Sequence, residues 1–129
     1  MRFIPTRIHG YLDYVMGVVL IAAPWILGFA DTGAGMLVPV ILGAGLILYS
    51  LFTNYELGAV RAIPMSIHLV LDFVAGLLLA VSPWLFGFAD DGWVPHVVVG
   101  VLEMGVAVIS QTVPSGGATG RAAPDSRPR

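Results

Sequence analysis

The sequence predicts an all-α fold, a four-transmembrane-helix bundle made of two tandem helical hairpins. Three observations carry that prediction. Charged residues are 11% of the chain and apolar residues 57%, whereas soluble domains cover their surface with roughly 25% charged residues. Four apolar runs each reach about 18–22 residues, enough to cross roughly 30 Å of hydrocarbon at 1.5 Å per residue. Finally, residues 68–90, HLVLDFVAGLLLAVSPWLFGFAD, restate residues 9–31, HGYLDYVMGVVLIAAPWILGFAD, with 12 identities in 23 positions.

The runs fall at about 9–29, 36–53, 67–88 and 95–113. Backbone facing lipid must satisfy its own hydrogen bonds, so each run is expected to be a helix. None alternates apolar and polar residues as a strand does. The first run opens with His9 and Asp13 and ends near Pro24, Trp25 and Gly28. A short connector, residues 31–35, turns the chain into the second run. The middle linker, Asn54 to Ser66, carries Glu56, Arg61 and Pro64. The third run repeats the first with His68, Asp72, Ser82, Pro83, Trp84 and Gly87. Asp90-Asp91-Gly92 leads into the fourth, which holds His96 and Glu103.

If four helices alternate across a bilayer, all six arginines fall on one side and Asp31, Asp90 and Asp91 on the other. Positive charge stays cytoplasmic, so a multi-pass protein of the cytoplasmic (inner) membrane with both termini inside is expected. A cleaved signal peptide is disfavoured, because no small-x-small site follows Phe29 and the same segment recurs deep in the chain. The expected organisation is a membrane domain over residues 1–113, with repeats at about 4–53 and 63–113. Residues 114–129, rich in Gly, Pro and Arg, are expected to form a disordered cytoplasmic tail. A net charge of −2 gives no pull on nucleic acid. The absence of cysteine excludes disulfide chemistry and thiolate metal sites. The expected partners are the lipid bilayer and a homo-oligomer or larger membrane complex.

Ile4-Pro5 and Ile8 match Ile63-Pro64 and Ile67 at the same spacing of 59 residues as the long repeat. Each unit holds two spans, so the second unit re-enters the membrane in the same direction as the first. The pseudo-two-fold axis should then run along the membrane normal, with helices 1 and 3 parallel and matching residues at matching depth. The triplet Ser82-Pro83-Trp84, within H-x-x-x-D-x-x-x-G…S-P-W-x-x-G-F, resembles the SPW-repeat family of small integral membrane proteins over roughly residues 4–111. The first copy departs from that pattern with Ala23-Pro24-Trp25. The resemblance implies a membrane location and no activity.

At about 100° per residue, His9, Asp13, Gly17, Leu20, Pro24 and Gly28 share one arc of helix 1. His68, Asp72, Gly76, Pro83 and Gly87 repeat that arc on helix 3. Lipid disfavours carboxylates, so these faces should turn inward, and their glycines permit close helix approach. Helix 4 places His96, Gly100, Glu103, Ala107 and Ser110 on one arc, and helix 2 places Pro39, Gly43, Leu46 and Ser50 on its own. Each internal proline frees a carbonyl four residues back, at Leu20 and Leu79, and Ser82 is placed to bond the latter. Trp25 and Trp84 suit the outer interface, and Gly28 and Gly87 suit helix ends.

His9–Asp13 and His68–Asp72 are i,i+4 pairs, each able to hydrogen-bond on its own helix. Three roles are open to the four groups: a polar cluster tying helix 1 to helix 3, the entrance of a proton or ion path, and a metal site that by ligand type suits zinc or iron. No metal or other cofactor is assigned, and a haem between His9 and His68 has no second cue. Glu103 alone places a carboxyl near mid-membrane, where it must be neutral, paired or wet, with His96 two turns outward as its candidate relay partner. No catalytic constellation is recognisable. The expected function is that of a non-catalytic structural or accessory membrane protein, the alternative being an oligomeric proton- or ion-handling protein.

Overall fold

The computed structural model describes residues 1–114, so residues 115–129 of the expected tail lie outside the described residues. Four α-helices follow in order, α1 Thr6–Ile26, α2 Ala34–Leu51, α3 Met65–Leu85 and α4 Val94–Ile109, with a 3₁₀ turn at Ala89–Asp91 before the last. No strand is present among the described residues, only two isolated bridges, Ile4 with Ser110 and Thr53 with Ile63. Helices α1, α2 and α3 are long and apolar enough to cross a membrane, while α4 is shorter at 16 residues.

The helix ends differ from the apolar runs for local reasons. Pro5 and Pro64, both in extended conformation, precede α1 and α3. Both helices therefore start before their histidine-bearing turn, as proline favours at a helix entry. They stop short of the run's end because Gly28 and Gly87 adopt φ of 76° and 73°. The amide of Phe29 then bonds the carbonyl of Pro24, and that of Phe88 the carbonyl of Pro83, both at 2.8 Å. This is the long bond of a Schellman cap. So Pro-Trp-x-x-Gly-Phe is one device: the proline carbonyl receives the cap, the glycine reverses the chain, and the phenylalanine is buried behind it. Helix α4 ends at Ile109 because Ser110 turns extended and the chain pairs with the N-terminal segment. Phe3 and Ile4 donate to the Ile109 carbonyl, and Gln111 donates to Ile4.

Each repeat packs its own two helices through glycine. A Cβ on Gly43 would stand 2.7 Å from the Gly17 carbonyl oxygen, and one on Gly76 would stand 2.8 Å from that of Gly100. Backbones this close leave no room for a side chain. Gly17 and Gly76 are 59 residues apart, but Gly43 and Gly100 are 57 apart. The second helices of the repeats thus correspond at a shorter spacing than the first, because α4 reaches its glycine sooner after its start (Val94 to Gly100) than α2 does (Ala34 to Gly43).

The bundle is inverted relative to a soluble protein. His9, Asp13, Ser50, Thr53, His68, Asp72, Ser82, His96 and Ser110 are buried, while Val15, Val18, Ile41, Leu48, Val74, Val98 and Val108 are exposed. Such an apolar exterior around a polar interior is stable in hydrocarbon and not in water. The chain is a four-helix membrane bundle.

Candidate functional site

The start of α1, the middle linker and the end of α4 meet at one end of the bundle, where the Thr6 hydroxyl donates to the Glu56 carboxylate, whose two oxygens stand 2.9 and 2.7 Å away. One turn further in, His9 and Asp13 of α1 meet His68 and Asp72 of α3. Their hydrogen bonds run between the repeats. His9 Nε2 lies 2.9 Å from Asp72 Oδ2, and His68 Nε2 lies 3.0 Å from Asp13 Oδ2. The i,i+4 partners are close as well, at 3.1 and 3.2 Å, without hydrogen-bond geometry. The four side chains form a closed ring in which each imidazole nitrogen faces both carboxylates.

Each of the four is held by one more group from outside the ring. His9 Nδ1 is 2.8 Å from Ser110 Oγ, and His68 Nδ1 is 2.7 Å from Thr53 Oγ1. Each hydroxyl gives its only proton to the carbonyl four residues back, Ser110 to Val106 and Thr53 to Tyr49. The hydroxyls can therefore only accept from the imidazoles, so both histidines carry a proton on Nδ1 and aim Nε2 at the carboxylates. Tyr49 donates to Asp72 Oδ1 at 2.7 Å, and Tyr55 donates to Asp13 Oδ2 at 3.3 Å. Tyr55 belongs to the linker and is almost fully buried. Burial, with the Asp13 carboxylate adding to it, pushes its phenol above the ordinary range, so the hydroxyl keeps its proton and remains a donor.

Ser110 lies on the expected polar arc of helix 4, whereas Tyr49, Thr53 and Tyr55 are not among the expected site residues. For Thr53 a sequence signal existed. It stands 57 residues before Ser110, the spacing at which the second helices correspond.

The repeats part company at two positions beside the ring. Leu46 and Tyr49 of α2 correspond to Glu103 and Val106 of α4. Tyr49 bonds Asp72, whereas Val106 has no hydroxyl to offer Asp13. A cavity of about 70 Å³ opens there, lined by His9, Asp13, Asp72, Glu103 and apolar side chains including Leu12 and Leu102. Leu12 and Leu102 are 41% and 55% exposed, so the opening is lateral, between α1 and α4. Among the described residues Glu103 has no side-chain hydrogen bond or ion pair, and it lines this cavity.

His96 is not brought to Glu103. It lines a separate cavity of about 60 Å³ toward the other end, sits between the rings of Phe29 and Phe88 at 5.2 and 4.8 Å, and donates from Nε2 to the Gly35 carbonyl at 2.8 Å. Its Nδ1 is buried with no partner among the described residues. The structural motif is distributed as its chemistry requires. Ser82 Oγ donates to the Leu79 carbonyl at 2.7 Å, the carbonyl that Pro83 leaves without its helical donor. Pro24 and Pro83 are buried within their helices. Trp25 and Trp84 are 60% exposed.

Neither a curated protein nor a solved structure matches this chain. The sequence pattern of the SPW repeat domain does match, over residues 7–110, and the chain belongs to that family.

Proposed function

We propose that this is a non-catalytic integral membrane protein of the cytoplasmic membrane, with both termini inside, in which the ring His9–Asp72–His68–Asp13 fastens one hairpin to the other. The observation that supports this reading is the crossing of the hydrogen bonds. Histidine of each repeat bonds aspartate of the other, so the two hairpins, which otherwise pack mainly within themselves, share one buried polar knot. Such a ring is built for rigidity: every member has its partners, and a satisfied buried network specifies one arrangement of the helices around it.

Removing one member leaves the others buried and unpaired, which costs about 3–5 kcal/mol. Asp72→Leu and His9→Leu should each lower the thermal midpoint of the detergent-purified protein. The double variant should lose less than the sum of the singles. Additive losses, or unchanged midpoints, would remove the fastening role. Turnover of a defined substrate by the purified chain would remove the non-catalytic one.

A second reading is favoured by the lateral cavity, because it joins the unpartnered Glu103 to His9, Asp13 and Asp72. About 70 Å³ has room for more than one water. In a homo-oligomer this vestibule would carry protons or cations toward the ring. Liposomes loaded with a pH-sensitive dye should then show flux that Glu103→Gln abolishes. Val106→Tyr should block it too, because Val106 lines the cavity and a phenol ring would fill it. Equal dye responses from all three proteins and from empty liposomes would end this reading.

A further inference from the structure

We propose that the ring His9–Asp13–His68–Asp72 is a binding site for one divalent transition-metal cation, held by the two Nε2 atoms and one oxygen from each carboxylate. This inference rests on the fastening role proposed above and names the ligand that completes it.

Four features of the ring point to a cation. The donor set, two imidazoles and two carboxylates, suits a metal of borderline softness such as zinc. The four candidate ligand atoms lie within 4.8 Å of one another, and the ring's edges are 2.9 to 3.2 Å. Zinc bonds of roughly 2.0–2.1 Å to nitrogen and oxygen set tetrahedral edges of about 3.3–3.4 Å, so the histidine–aspartate edges already stand near that length, and the most widely spaced ligand atoms, within 4.8 Å, draw closer as a cation seats. Charge agrees as well. Two buried carboxylates require two positive charges in a medium that solvates none; protons on the two Nε2 atoms supply them in the hydrogen-bonded ring, and one divalent cation replaces both protons.

The outer groups carry the inference furthest. A metal-binding histidine has its other nitrogen donating to a fixed acceptor, which sets the tautomer and aims the lone pair, and a metal-binding carboxylate is itself hydrogen-bonded. Here all four members of the ring have such a group: Ser110 for His9, Thr53 for His68, Tyr49 for Asp72 and Tyr55 for Asp13. These come from α4, α2 and the linker, so every element at this end of the bundle helps to aim the ring. The lateral cavity touches His9, Asp13 and Asp72 and gives the cation a way in past Glu103.

The test uses the full chain purified in detergent, stripped with a chelator and titrated with Co²⁺. The expected result is one Co²⁺ per chain with the visible bands of a tetrahedral site, lost on addition of one equivalent of Zn²⁺. Ser110→Ala with Thr53→Ala keeps all four ligands but frees both imidazoles to change tautomer. It should weaken Co²⁺ binding about 10–100-fold, and Thr53→Ser with native Ser110 should retain full affinity. The proposal is overturned if the stripped protein gives no tetrahedral bands, or if bands persist unchanged in Asp72→Asn. Should the Asp72→Asn chain not fold, equal Co²⁺ affinity in the wild type and the hydroxyl-deleted variant overturns it equally. Absence of bands in a protein that ring substitutions still destabilise removes the metal and leaves the fastening role. Bands in a protein that such substitutions do not destabilise remove the fastening role and leave the metal.

Discussion

Ser82 shows how a single side chain answers a defect made by its neighbour. Pro83 has no amide hydrogen, so the Leu79 carbonyl loses its helical donor, and Ser82 supplies one at 2.7 Å. Repeat 1 has Ala23 at the same place, so Leu20 receives no such bond from it. Ser82→Ala should therefore lower stability by about 0.5–1.5 kcal/mol, the net worth of one hydrogen bond. Ala23→Ser should recover a comparable amount, and both are read from the thermal midpoint in detergent. Gly87→Ala offers a contrasting case. A Cβ there meets nothing within 4 Å, so any loss must come from the left-handed backbone alone, roughly 1–2 kcal/mol for an alanine. The same substitution at Gly28, also with open space around it, should cost the same. A difference between the two glycines would show that something other than backbone strain governs these turns.

At the scale of helices, what could be read from the sequence was what lies within one helix or recurs between repeats. The inward arc of α1 and α3, the freed Leu79 carbonyl and the glycine caps follow from positions a few residues apart. The partners of His9 and His68 do not. Each imidazole stands within 3.2 Å of the aspartate four residues along its own helix and also makes a shorter contact to the one on the facing helix, which helix contact, not sequence spacing, brings into reach. Tyr55 was hidden for another reason: it lies in an irregular linker, where no periodicity reports which way a side chain turns. His96 and Glu103 show the opposite error. Seven residues apart on one face, they read as a pair, yet the interior between them is filled by close packing at Gly76 and Gly100, and they line separate cavities. Duplication also concealed its own exception. Only when α2 and α4 are matched at their own spacing does Glu103 emerge as the counterpart of Leu46, and Val106 of Tyr49. Those two exchanges set Tyr49, which bonds Asp72, on one side of the ring and a cavity lined by Glu103 and Val106 on the other.

For the whole molecule, the polar ring lies near one membrane face, and which face that is decides what reaches it. Arg2, Arg7 and Arg61 are at the ring's end of the bundle; Asp31, Asp90 and Asp91 lie in the two connectors at the other. Retention of arginine on the cytoplasmic side predicts that the ring lies near the cytoplasmic face. The sequence contains no cysteine, so a single introduced thiol can be tracked without background. Arg61→Cys in intact cells should resist a membrane-impermeant maleimide, while Asp31→Cys and Asp90→Cys should react with it. In inside-out vesicles the pattern should reverse. The two connector positions belong to different repeats, so they also test the parallel arrangement: hairpins entering from the same side must give both thiols the same accessibility. Opposite labelling of residues 31 and 90 would break the pseudo-symmetry on which the ring depends, because α1 and α3 would then be antiparallel and His9 and His68 would stand at different depths. Equal labelling from the wrong side would keep the ring and turn it toward the extracytoplasmic face. Any cation would then be drawn from that compartment instead of the cytoplasm.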